Sequence, residues 1–157
     1  MKKEIVINDK KIGFNTEPYI IAELSGNHNG DINRAIKLID AAVESGAHAI
    51  KLQTYTADTL TIDSNRPEFL VKGGPWSGQK LYDLYKQAST PWDWHPTIFQ
   101  YAKQKNIHCF SSPFDDSAVD FLNRLSAPAY KIASFEIVDI PLIKKASSQN
   151  KPLIMST

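Results

Sequence analysis

Five short apolar runs restrict the possible folds of this sequence more than any other feature. They are residues 19–24, 49–54, 108–111, 129–133 and 152–155. Each is too short for a helix and carries the Ile, Tyr, Phe and Leu of strands buried on both faces. Helical patterns lie between them. After Asp31, a good N-cap, the apolar residues Ile32, Ala35, Ile36, Ile39, Ala42 and Val43 share one helical face, and Gly46 follows as a stop. Asp115 or Asp116 opens a second helix, with Val119, Leu122 and Leu125 near one face. Asp139 with Pro141 opens a third, carrying Leu142, Ile143 and Ala146. Strands that alternate with helices predict parallel βαβ units.

The remaining segments fit around this frame. Residues 4–7 and 11–14 flank Asn8-Asp9, a pair suited to a tight turn, and read as an N-terminal β-hairpin within residues 1–18. Residues 57–79, rich in Gly, Pro, Asp and Ser, are expected to form a loop over one end of the sheet. A helical stretch at 81–87 follows. Thr90-Pro91 then starts another helix, which Pro96 should kink or restart.

An open doubly wound sheet and a closed barrel both satisfy the alternation. No G-x-G-x-x-G follows the first apolar run, which weakens a dinucleotide-binding reading. The polar residues instead recur at the C-terminal end of every run, as they do in a (β/α) barrel. Glu23 is the lone charge in its run. Lys51 sits inside AIKLQTY with Gln53 on the same strand face, and Lys131 sits inside AYKIAS with Ser134 and Glu136 after it. Ser111-Ser112-Pro113-Phe114 ends the third run and Ser156-Thr157 the fifth. Desolvating a lone charge without a partner costs several kcal/mol or more. Structural ion pairs would explain any one of these residues, but the set at matching strand ends predicts a shared active site. Five strands do not close a barrel of eight, so residues 19–157 are expected to be a TIM-barrel-type domain truncated after about five strands.

Two lysines among hydroxyls suit a compact anion, a phosphate or a small carboxylate, while glutamates hold sugar hydroxyls or move protons. Buried lysines also serve Schiff-base aldolases, the competing mechanism. The loop Ser25-Gly26-Asn27-His28-Asn29-Gly30 offers donors and acceptors at the barrel mouth, or is simply an Asn/Gly turn. His28 has no second ligand at metal-binding spacing, and His95 in WDWH reads as helix start and packing. Eighteen basic against seventeen acidic residues, net +1, give no reason to expect nucleic acid or a membrane surface. The single cysteine, Cys109, lies inside an apolar run and excludes a disulfide framework. With no signal-length or membrane-length apolar stretch, the expected location is the cytoplasm.

Taken in order, IIAELSGNHNGD, AIKLQTY, FSSPFD, YKIASFEI and PLIMST resemble, strand by strand, the first half of the sialic-acid (N-acetylneuraminate) synthase barrel. ELSGNHNG, PWSGQKLYDLYKQA and TPWDWHP resemble its pseudaminic acid branch, with the N-acetylneuraminate and legionaminate branches as alternatives. The resemblance implies condensation of phosphoenolpyruvate with an open-chain acetamido sugar, giving a nine-carbon α-keto acid and phosphate. It implies that Lys51, Ser112, Lys131, Ser134 and Ser156 hold phosphoenolpyruvate, that Gln53 and Phe114 shape the site, and that Glu23 and Glu136 lie near the sugar and the reacting carbons. Asn27 and His28 join the substrate-binding set. It further implies a divalent metal, Mn²⁺ or Mg²⁺, with ligands beyond residue 157 and none within this chain, and a homodimeric parent. A non-catalytic sugar- or phosphate-binding module is the reading from outside the enzymes.

Overall fold

Residues 4–156 are described by the structure, a computed structural model. β1 (Glu4–Ile7) and β2 (Lys10–Gly13) form the antiparallel hairpin, closed by Asn8-Asp9 with Asn8 at a positive φ of 52°. Asn tolerates that conformation better than most residues, because its short side chain bonds locally. The second strand begins one residue earlier than its apolar pattern suggested and leaves Phe14 fully exposed.

The five apolar runs form one parallel sheet in chain order: β3 (Ile21–Glu23), β4 (Ala49–Thr54), β5 (His108–Pro113), β6 (Tyr130–Ile132) and β7 (Leu153–Met155). This is a half-barrel. Thr157, expected at the end of the fifth run, lies outside the described residues. The β5 strand runs two residues further than its apolar run, so Ser112 is part of the strand and not of the loop after it.

Helices lie between the strands, and the first and the last three of them pack on the outer face. They are α1 (Ile32–Glu44), α2 (Ala57–Leu60), α3 (Leu81–Ala88), α4 (His95–Gln104), α5 (Asp116–Arg124) and α6 (Ile140–Ser147). Asp31, Asp115 and Asp139 each accept a backbone N–H of the following first turn, from Asn33, Ala118 and Leu142. Those bonds satisfy donors that a helix start leaves open. Gly46, at φ +77°, takes the left-handed position just beyond α1. Pro96 sits in the first turn of α4, after a short 3₁₀ turn at Trp92–Trp94, so it restarts the chain as a new helix.

Residues 57–79 are more ordered than their composition suggests. They contain α2, a 3₁₀ turn at Pro67–Phe69 and an antiparallel bridge from Leu70 to Lys80. Such one-turn elements are too short to leave a periodic apolar pattern.

Strand alternation divides the core into two faces. On the outer face, Ile50, Leu52 and Cys109 pack with Ala35, Ile39 and Ile98, while Tyr130 and Ile132 pack with Val119, Leu122, Leu142 and Ala146. On the inner face Ala49, Phe110 and Ala129 are fully buried and meet Ile7 from the hairpin. The hairpin thus plugs the N-terminal end of the half-barrel. At that end Tyr19 Oη lies 2.6 Å from His108 Nδ1, and His108 Nε2 lies 2.9 Å from Asp9 in the hairpin turn. Burial pushes the Tyr19 phenol up to about 12, so it remains a neutral donor. Among the described residues, no helix is long and apolar enough to cross a membrane.

Candidate active site

The register decides which side chains share the mouth of the half-barrel. Glu23 pairs with Lys51, and Lys51 with Phe110; Gln53 pairs with Ser112; Lys131 pairs with Ile154. The contact between β5 and β6 places Ser111 beside Tyr130, which puts Ser112 next to Lys131. Paired residues of parallel strands project to the same face. Glu23, Lys51, Gln53, Ser112 and Lys131 therefore lie on the inner face with buried Phe110 and Ala49, nearer the C-terminal end. Ser156 follows β7 on that face, and its N–H bonds the Ile132 carbonyl at 3.1 Å.

Within this layer the charges meet. The Lys51 ammonium forms a close ion pair with Glu23, whose other oxygen accepts from Ser25 Oγ at 2.8 Å. Lys131 Nζ donates to Ser156 Oγ at 2.5 Å and to the Ile132 carbonyl at 2.8 Å. Burial, and then the like charge of Lys51, hold the Lys131 ammonium below its ordinary range, while Glu23 and Glu136 oppose that shift. Glu136 is the converse case: burial, seconded by Asp139, raises its carboxyl above the usual range. Its Oε2 is buried without a hydrogen-bond partner. A carboxyl in that state is poised to donate or to receive a proton.

The other expected residues are placed unequally. Ser112 is buried, and Gln53 is half-buried on the same face. Phe114, just past β5, packs edge-to-face on Tyr55 with ring centres 5.4 Å apart. Ser134 is exposed and opens a 3₁₀ turn at Phe135–Val138. Asn27 is exposed, and its carbonyl accepts from Arg34 Nε at 2.8 Å. His28 is turned inward, with 1% of its surface exposed and both ring nitrogens within hydrogen-bond reach of protein atoms. His95 starts α4, as expected, and is fully buried. The Cys109 thiol is buried, and its pKa is raised by that burial. Sequence reasoning missed Ser25 as the partner of Glu23 and the buried hydroxyls Thr54 and Thr90, and it placed Ser111 at a strand end without giving it a role. Polar residues inside or beside apolar runs were the available signal.

Two ammonium groups and several hydroxyls at the ends of neighbouring strands can hold a compact anion with more than one negative oxygen. The carboxyls beside them can orient hydroxyl groups or move a proton.

The sequence model of the NeuB family matches residues 38–157. Among curated proteins, a pseudaminic acid synthase of Campylobacter jejuni is 50% identical over 146 residues, covering 92% of this chain and 43% of the relative. A pseudaminic acid synthase of Helicobacter pylori is 48% identical over 140 residues, covering 89% of this chain and 41% of the relative. Among solved structures, an N-acetylneuraminic acid synthetase from Leptospira borgpetersenii superposes with a TM-score of 0.82 at 30% identity, covering 97% of this chain and 48% of that one. The chain spans less than half the length of these relatives.

Proposed function

The chain belongs to the NeuB family, and from that premise we propose that the whole protein condenses phosphoenolpyruvate with an open-chain 2,4-diacetamido-2,4,6-trideoxy-altrose. A bond forms between C3 of phosphoenolpyruvate and the aldehyde carbon of the sugar. Water then adds at C2 and phosphate leaves, giving a nine-carbon α-keto acid. One observation carries the reading: Lys51 on β4 and Lys131 on β6 stand on one face of the sheet, with Ser112 on β5, the strand between them, and Ser156 bonded to Lys131.

In this reading Lys51, Ser112, Lys131, Ser134 and Ser156 hold the phosphate and carboxylate of phosphoenolpyruvate. Their charge and donors stabilise the negative charge that shifts to the leaving phosphate. Gln53 and Phe114 shape the site, with Asn27 at its rim. Glu23 and Glu136 face the sugar and the reacting carbons. The Glu136 carboxyl, raised by burial above the usual carboxylate range, suits proton transfer. The protein is placed in the cytoplasm, acting as a homodimer. A divalent metal, Mn²⁺ or Mg²⁺, belongs to the proposal only through ligands outside this chain. Among the described residues no group of three or more His, Cys, Asp or Glu side chains could hold one.

Phosphate release from phosphoenolpyruvate by the whole protein, with Mn²⁺ and each candidate sugar in turn, tests the proposal. Release with the diacetamido-trideoxy-altrose alone supports it, and release with N-acetylmannosamine moves the assignment to the N-acetylneuraminate branch. No release with any sugar would leave a non-catalytic binding module or an aldolase. One observation favours the aldolase as a second reading: burial and Lys51 lower the Lys131 pKa, which promotes the free amine that a Schiff base needs. Borohydride trapping of an adduct on Lys131 separates the two, since the condensation forms none.

A further inference from the structure

Behind the mouth, within the layer between sheet and helices, lies a second polar assembly that the proposed reaction does not use. His28, Thr54, Thr90, His95 and Ser111 are each exposed by 1% or less. Their hydrogen bonds order the protons of both rings, of Thr54 and of Ser111. His95 Nδ1 lies 3.1 Å from the Pro91 carbonyl, which can only accept, so Nδ1 carries the ring proton. In the neutral ring, Nε2 is then an acceptor, and Thr54 Oγ1 donates to it at 2.9 Å. That uses the one proton of Thr54, so Ser111 Oγ, 2.6 Å away, donates to Thr54 in preference to the Ser112 carbonyl, which lies 3.5 Å from it. The chain runs one way: Ser111 to Thr54 to His95 to the Pro91 carbonyl.

His28 has the opposite order. The backbone N–H of Gly30 donates to its Nδ1 at 3.1 Å, so the proton sits on Nε2, which donates to Thr90 Oγ1 at 3.2 Å. Burial lowers the pKa of both rings, that of His95 to about 4. Around His95 stand the His28 ring, which adds to the lowering, Asp93 and the Pro91 carbonyl, which oppose it, and the Phe121 ring of α5. Both imidazoles are therefore neutral near pH 7.

Two neutral rings of opposite tautomer thus end on consecutive residues, Thr90 and Pro91, between α3 and α4. One ring comes from the loop that follows Glu23. The other reaches, through Thr54 and Ser111, the residues adjacent to Gln53 and Ser112. A separate contact points to the same junction: a Cβ built on Gly26 would stand 2.9 Å from the Ala88 carbonyl, so the 25–30 loop is seated on the end of α3 with no room for a side chain.

We infer that the Thr90–Pro91 junction is the positioning element of the mouth, gripped by His28 and His95 and setting Gln53 and Ser112 through Thr54 and Ser111. The substrate roles of Gln53 and Ser112 rest on the reading given under the proposed function, whereas the proton order does not. The test uses the whole protein with two variants, Thr54→Val, which keeps the shape and loses the hydroxyl, and Thr54→Ser, which keeps the hydroxyl.

Thr54→Val is expected to lower kcat/KM for phosphate release about tenfold or more, as small misplacements of substrate-holding groups do, and Thr54→Ser to stay within about twofold of wild type. A purely structural role would lower Tm in Thr54→Val and leave kcat/KM of the folded protein unchanged, and that result would overturn the inference. Histidine-selective ¹⁵N spectra at pH 7 are expected to show His95 protonated at Nδ1 and His28 at Nε2. Two rings of the same tautomer would overturn the proton order on which the grip depends. If wild type releases no phosphate with any sugar, the proposed reaction falls and the spectra alone decide the grip.

Discussion

The two ends of the half-barrel's inner face are built from the same strands and differ by a single two-residue step. Ile21 is followed on that face by Glu23, Ala49 by Lys51, Phe110 by Ser112, Ala129 by Lys131 and Ile154 by Ser156. At the N-terminal end the layer is apolar, packed and plugged by Ile7 of the hairpin. At the C-terminal end it is charged and hydroxylated, and it is held by the Lys51–Glu23 ion pair and by hydrogen bonds between strands. One period of strand alternation, roughly 7 Å of rise, separates a core from a binding surface. The fold therefore spends its packing at one end, which leaves residues at the other free to hold charges that would otherwise carry a desolvation cost.

This division of labour can be broken most sharply at its apolar end. Phe110 is fully buried against Ile7, Ala49 and Ala129. Phe110→Ala is expected to cost about 4 kcal/mol of unfolding free energy, read from denaturant midpoints, because it deletes a ring from the most enclosed part of the inner face. A loss below about 1 kcal/mol would mean that the hairpin plug does not consolidate the half-barrel.

A smaller effect sharpens the comparison from the polar end. The His95 ring beneath the mouth titrates at about 4 when folded against an ordinary 6.5. Its folded pKa is depressed, so the unfolded chain binds a proton first as pH falls. Stability is complete above about pH 6.5 and declines toward pH 4, by about 2 kcal/mol at pH 5. Urea unfolding at pH 8 and pH 5, in wild type and in His95→Gln, measures this; equal slopes with pH in both proteins would contradict it.

Much of this organisation was legible in the sequence, and the particular residues show why. Residues 49–54 gave the limits of β4 without adjustment, since four of its six residues are buried and the run carries the strand's own alternation. Asp31, Asp115 and Asp139 marked helix starts because an N-cap carboxylate has a local job that no distant contact overrides. Glu23, Lys51, Gln53 and Lys131 were visible as polar residues inside apolar runs, and the register puts them on one face. The limits were equally physical. Thr54 and Ser111 sit on a buried strand face, so nothing local revealed that Thr54 bonds His95 of α4 and that Ser111 bonds Thr54. His28 reads as a loop donor in sequence, and only the packing of the 25–30 loop on the α3–α4 junction buries it. The small elements within 57–79 depend on single turns and one bridge, below the length at which periodicity speaks.

The central claim is that the polar end of the inner face is one anion-holding site built on Lys51 and Lys131. Calorimetric titration of phosphoenolpyruvate into the whole protein, as wild type, Lys131→Met and Lys51→Met, tests it most directly. The account predicts that each substitution weakens binding about a hundredfold, roughly 3 kcal/mol, with Tm nearly unchanged because packing lies at the other end. Wild-type affinity in both variants would contradict it and would return the two lysines to the role of structural ion pairs.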